Sequence, residues 1–147
     1  MQFLFGSREW LAAANGIFAQ RASCLAAQGI SDRVSICEVY LNTPSDLSWE
    51  DNRLAWSCVY EGGAFEFALS EREDVDFKAV GNYDAFLGLS TFIIGSDPAR
   101  ETEYRALAMK AISAGEIAVP IGSGFREPGG LEPLHDVLAK LTSASRV

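Results

Sequence analysis

The chain has little of what catalytic and metal-binding chemistry is usually built from. It holds a single histidine, His135, among 147 residues. Any imidazole triad, acid–base dyad or metal site must therefore run through that one side chain. Its neighbour Asp136 points about 100° away around a helix, so the two do not form a base and its orienting partner. The three cysteines, Cys24, Cys37 and Cys58, are odd in number and lack CxxC spacing, which argues against both a disulfide framework and a zinc site. The segment Gly122-Ser123-Gly124 begins a GxG but lacks the later glycine. It precedes Arg126-Glu127-Pro128 rather than a helix, so no dinucleotide or other cofactor is expected.

Positive charge and long apolar runs are also scarce. Twelve basic residues stand against twenty acidic ones, a formal charge of -8. Arg100, Arg105 and Lys110 alternate with Glu101 and Glu103 instead of clustering, so no nucleic-acid partner is expected. No stretch approaches the roughly 18 consecutive apolar residues of a membrane span, and no stable membrane insertion is expected. Residues 1–6 do not read as a secretory signal, which predicts a cytoplasmic protein.

What remains is the material of one folded domain, 48% hydrophobic and 22% charged. Residues 9–28 repeat Trp10, Ile17, Cys24 and Leu11, Phe18, Leu25 on one stripe, predicting an amphipathic helix capped by Ser7 and stopped by Gly29. Gly16 inside it suggests close approach to a sheet. Residues 33–41 read as a central strand, and 42–53 as a loop rich in turn formers.

The clearest signal lies in residues 54–70, where two extended runs meet at Gly62-Gly63. Placing Glu61 opposite Ala64 puts the pairs Tyr60/Phe65, Cys58/Phe67 and Trp56/Leu69 on one face. Smaller or polar residues occupy the other, which predicts a sheet covered by helices on one side only. A fourth strand at 75–80 alternates Val75, Phe77 and Ala79 with Asp76 and Lys78; Asp74 and Asp76 read as solvated charges. A helix follows at 83–94, capped by Asn82, and another opens at Asp97-Pro98 with the stripe Tyr104, Leu107, Ala108, Ala111 and Ile112. Residues 116–121 read as a short fifth strand that Pro120 makes an edge strand or gives a bulge; a loop at 122–130, a helix at 133–141 and a frayed tail from Ser143 are expected to complete the chain.

The expected fold class is α+β, a two-layer sandwich with a mostly antiparallel sheet of about five strands and helices on one face. Three stretches, Val75-Asp76-Phe77-Lys78, Asn82-Tyr83-Asp84-Ala85-Phe86-Leu87-Gly88-Leu89 and Ala114-Gly115-Glu116-Ile117-Ala118-Val119, resemble the sterol carrier protein 2 (SCP-2) family in their order. The resemblance covers most of the chain in architecture and about residues 54–122 in motif. It implies a lipid-binding tunnel between sheet and helices, and hence a carrier with no catalytic residues and no metal. The partner it implies is a hydrophobic small molecule: a fatty acyl group, an acyl-CoA or a sterol.

The aromatic residues independently point to that layer. Trp10, Phe18, Tyr40, Trp56, Tyr60, Phe65, Phe67, Phe77, Tyr83, Phe86 and Phe92 place bulky rings on both sides, and gaps between such rings suit an acyl chain or a sterol. Tyr40, Tyr60 and Tyr83 are candidates to offer a hydroxyl at the polar end. The pocket is expected beneath helix 83–94. The alternatives are a small enzyme of ketosteroid-isomerase type, using a buried Asp, Glu38 or a tyrosine as acid or base, and a structural subunit with a vestigial pocket.

Overall fold

A computed structural model describes residues 1–122 and 134–144, so most of the 122–130 loop lies outside the described residues. The first strand, β1 (Phe3–Leu4), is two residues long and turns through Gly6 into α1 (Arg8–Ala27). Ser7 caps that helix as expected, its hydroxyl accepting the Trp10 N–H at 3.1 Å. Gly29, at a φ of 73°, follows its end, with the Ile30 N–H returning to the Leu25 carbonyl. Gly16 faces solvent, with open space where a Cβ would stand, so the sheet does not demand it.

The chain continues through β2 (Val34–Leu41), β3 (Leu54–Glu61), β4 (Ala64–Ala68) and β5 (Phe77–Asn82). Then come α2 (Tyr83–Ser90), α3 (Pro98–Ser113), β6 (Ile117–Ile121), α4 (Leu134–Lys140) and β7 (Thr142–Ser143). Five strands form one sheet in the order β4-β3-β2-β5-β6, with β2 at its centre. The α+β class and the sheet with helices are as expected. The Gly62-Gly63 hairpin has the expected register, with Glu61 opposite Ala64, Tyr60 opposite Phe65 and Cys58 opposite Phe67. It stops at Ala68, however, so the Trp56/Leu69 pair does not form and Leu69 is 53% exposed.

That early exit follows from β5, which pairs with β2 in parallel. To reach it from the β4 edge, the chain must cross β3 and β2 outside the sheet. Residues 69–76 make this crossing on the face away from the helices. Ser35 of β2 exchanges hydrogen bonds with Asp76, its N–H and hydroxyl reaching Oδ2 at 3.0 and 2.8 Å. Arg33 pairs with Asp74 and Asp76, so these are tethering rather than merely solvated charges. Lys78, expected on a polar face, is buried and held by Glu71 at 2.5 Å and by Glu73. Val75 belongs to this crossing, not to the strand, and closes over Cys37 and Val39. The second sheet face is therefore partly buried by the chain's own return path.

The helical layer also departs from its sequence pattern. α2 ends at Ser90, four residues before Ile94, because Asp136 draws the Ile94 and Gly95 N–H groups to its carboxylate at 2.8 Å each. Phe92 consequently leaves the helix and meets Tyr104, with ring centres 5.6 Å apart. On α3 only Ala111 is buried, and Leu107 and Ile112 of the expected stripe are exposed. β6 is an edge strand with a bulge opposite β5, and Gly81 allows its approach: a Cβ there would stand 2.4 Å from the Glu116 carbonyl oxygen. Ser143 is not frayed; β7 pairs in parallel with β1, joining Phe3 to Thr142 and Leu4 to Ser143.

The core lies between the sheet and α1 and α2, and centres on Phe5. Its fully buried ring lies 4.9 Å from those of Trp10 and Tyr40 and 5.1 Å from that of Tyr83. Phe5→Ala is expected to cost about 3–5 kcal/mol of stability, measured by urea unfolding. A loss under 1 kcal/mol would show that this ring is not the centre of the core.

Candidate functional site

On the helix-covered face, β2 presents Val34, Ile36, Glu38 and Tyr40 in alternation. β3 answers with Tyr60, Cys58, Trp56 and Leu54 as their direct partners. This face is apolar except at Glu38, whose half-buried carboxyl lies opposite Trp56 and Ala79. Three side chains form a line of hydrogen bonds there. The Trp56 indole N–H donates to the Tyr40 hydroxyl at 2.8 Å, and that hydroxyl donates to Glu38 Oε1, also at 2.8 Å.

Surrounding protein raises the Glu38 pKa to about 7, because burial disfavours the charged form more than the Tyr40 hydrogen bond favours it. Burial and then the Glu38 charge drive Tyr40 well above the ordinary tyrosine value. Tyr104 of α3 is pushed up to about 12, by burial first and by Glu38 second. Glu38 is therefore poised near neutrality with two tyrosines around it that stay protonated. Cys58, raised to about 12 by burial, and Cys37, raised for the same reason, are inert thiols.

A void of about 30 Å3 lies further along the same face, walled by Phe18, Arg21, Ala22 and Leu25 of α1, Val34 and Ile36 of β2, Cys58 and Tyr60 of β3, Phe65 of β4, and Leu134 of α4, with none of the three linked side chains in its wall. It has room for a water molecule or a methyl group, not for an acyl chain. The expected pocket beneath helix 83–94 is occupied by Phe86, whose ring lies 4.7 Å from that of Tyr40. A larger open groove of about 440 Å3 lies elsewhere, at the ends of β2 and β5, between Asn42, Asn82, Asp84 and Glu116. Its asparagines bond each other at 2.6 Å, and its two carboxylates are Asp84 and Glu116.

The structure distributes the aromatic candidates among three places. Phe18, Tyr60 and Phe65 line the void, and Phe18 continues onto Trp56 and Phe67 at 5.4 and 6.2 Å. Trp10, Tyr40, Tyr83 and Phe86 surround Phe5 or its neighbours as core, while Phe77 is half-buried beside Ile36. Phe92 stands apart against Tyr104, with the Arg100 guanidinium 4.0 Å over its ring. Of the three tyrosine hydroxyls, Tyr60 donates to the Ile30 carbonyl and Tyr83 to the Phe5 carbonyl, whereas Tyr40 donates to the Glu38 carboxyl. His135 bonds the Phe92 carbonyl at 2.7 Å and lies against the Tyr104 ring, a tie between α3 and α4.

Sequence reasoning missed Arg21, a buried cation on the apolar stripe of α1, although its position three residues after Phe18 was a readable signal. Among the described residues no group of three or more potential metal ligands comes together. No protein-family model, curated protein or solved structure matches this chain.

The raised Glu38 pKa has a signed consequence. The unfolded chain releases this proton near pH 4.5 while the folded chain keeps it to about 7, so stability falls as pH rises through that window. Glu38→Gln keeps an oxygen for Tyr40 and cannot ionise. Urea unfolding from pH 4 to 8 should show the variant gaining roughly 1–3 kcal/mol on the wild type across the window. Parallel curves would rule out a buried, proton-retaining carboxyl.

Proposed function

We propose that the chain is a non-enzymatic carrier of a small apolar molecule, of the fatty-acyl, acyl-CoA or sterol kind implied by its resemblance to the SCP-2 family. The observation that carries this reading is the void between α1 and the sheet, walled almost wholly by apolar side chains. Its Val34, Ile36, Phe65 and Leu134 walls are half-buried rather than sealed. Apolar walls left partly open favour an apolar guest, at about 0.8 kcal/mol per buried methylene.

Loading requires α1 to move, and the helix is built unequally for this. Its first half is anchored by the Trp10 indole on Thr142 at 2.9 Å, while Phe18 to Leu25 in its second half roof the void. The exposed Gly16 lies between the two halves, where helix propensity is weaker by about 1 kcal/mol than with alanine. Outward bending of the second half opens the void without breaking the Phe5 core. A panel of fatty acids, acyl-CoA thioesters and sterols is the direct test. A bound ligand at a hundredfold its Kd adds about 2.7 kcal/mol of stability and raises the melting temperature. An unmoved melting temperature across the whole panel at saturation rejects the carrier.

One observation favours a second reading, an enzyme on a hydrophobic substrate. A carboxyl with a pKa of about 7, held by Tyr40, suits a general acid or base. Incubation with a β,γ-unsaturated ketosteroid separates the two: the carrier yields no conjugated enone, and turnover abolished by Glu38→Gln would establish the enzyme instead.

A further inference from the structure

The void and the Glu38 carboxyl lie on one line of the sheet. Side chains at alternate positions of a strand share a face and are spaced roughly 6–7 Å apart. Val34 and Ile36 line the void, and Glu38 is the next side chain of β2 in that row. Phe18 stands at the boundary, lining the void on one side and meeting Trp56, the direct cross-strand partner of Glu38, on the other. An apolar chain that enters beneath α1 and displaces the Phe18 ring therefore comes next to this carboxyl. Oε1 is taken by Tyr40, which Trp56 holds in place; among the described residues, no donor reaches Oε2.

We propose that Glu38 is the polar anchor of the ligand site and selects an uncharged apolar molecule bearing a hydroxyl group, a sterol or a long-chain alcohol, over a fatty-acid anion. The inference rests on the carrier reading and deepens it. A hydroxyl both donates and accepts, so it pairs with Oε2 whether Glu38 is ionised or protonated. A fatty-acid carboxylate would set a second negative charge beside the first in a poorly solvated site. The groups that sense Glu38 are Tyr40 and Cys37 on its own strand and Tyr104 on α3, with the Trp56 indole beside Tyr40 on β3; none of these is a cation able to receive a carboxylate. The Tyr40–Trp56 chain also fixes the carboxyl before a ligand arrives, so little ordering remains to be done on binding.

The test uses the full chain with three probes of one length: 1-dodecanol, dodecyl methyl ether and dodecanoate. Binding is followed at pH 8 by thermal shift and titration calorimetry. The alcohol is expected to bind about tenfold more tightly than the ether, which accepts but cannot donate, and more tightly than the acid. Glu38→Leu should erase the preference for alcohol over ether, and so should Glu38→Gln, whose oxygen stays on Tyr40 and whose amide NH2 can only donate, to alcohol and ether alike. Equal wild-type affinity for alcohol and ether overturns the anchor while leaving the carrier standing, and this comparison needs no variant to fold. Tighter binding of dodecanoate also overturns it and shifts the anchor to Arg21, the cation in the void's wall. Failure of all three probes to bind removes the carrier and the anchor together.

Discussion

The parallel pairing of β2 with β5 is the constraint on which most of the molecule depends. The strands before β5 form an antiparallel hairpin series, and one parallel neighbour at the centre obliges the chain to travel back across the sheet. The return path covers Cys37 and Val39, buries Lys78 between two glutamates, and ties Ser35 to Asp76. Because that face is closed by the chain itself, the helices are all available to the other. The aromatic layer, the void and Glu38 lie there as a result.

Within that layer, polar atoms are few and nearly all have a fixed partner. Trp10 and Tyr83 spend their donors on Thr142 and on the Phe5 carbonyl, which locks the first half of α1 and the start of α2 around one ring. Buried donors satisfied in this way make a core specific as well as apolar. Glu38 stands out, since one of its oxygens is held and the carboxyl is still driven towards its neutral form. A carboxyl in that state costs stability, and the cost grows as pH rises towards 7.

Much of this was legible in the sequence where local chemistry decides. Gly62-Gly63 set the hairpin register, Asp97-Pro98 opened α3, and the mixed sides of residues 34–41 marked the central strand. Glu38 was visible as the one charge in an otherwise apolar alternation. What escaped depends on partners far along the chain. The length of α2 is decided by Asp136, more than forty residues later, whose side chain competes for the amides that would have extended the helix. The stripe on α3 follows a helical period, yet Leu107 and Ile112 remain outside, because periodicity shows which residues share a face and not whether a neighbour covers it. The void's place under α1 rather than α2 follows from how closely Phe86 meets Tyr40, a distance no pattern encodes.

The union of β1 with β7 carries a consequence for how the chain is made. Trp10 waits for Thr142, 132 residues downstream, before its indole has a partner. At ribosomal rates that interval is on the order of ten seconds, during which the first helix exists with its inner face uncovered. Such a chain makes a long helix well before the clasp that holds it. The nascent form is therefore exposed to chaperones and to sticking for longer than a protein closed by local contacts, and β7 acts as the latch that ends that exposure.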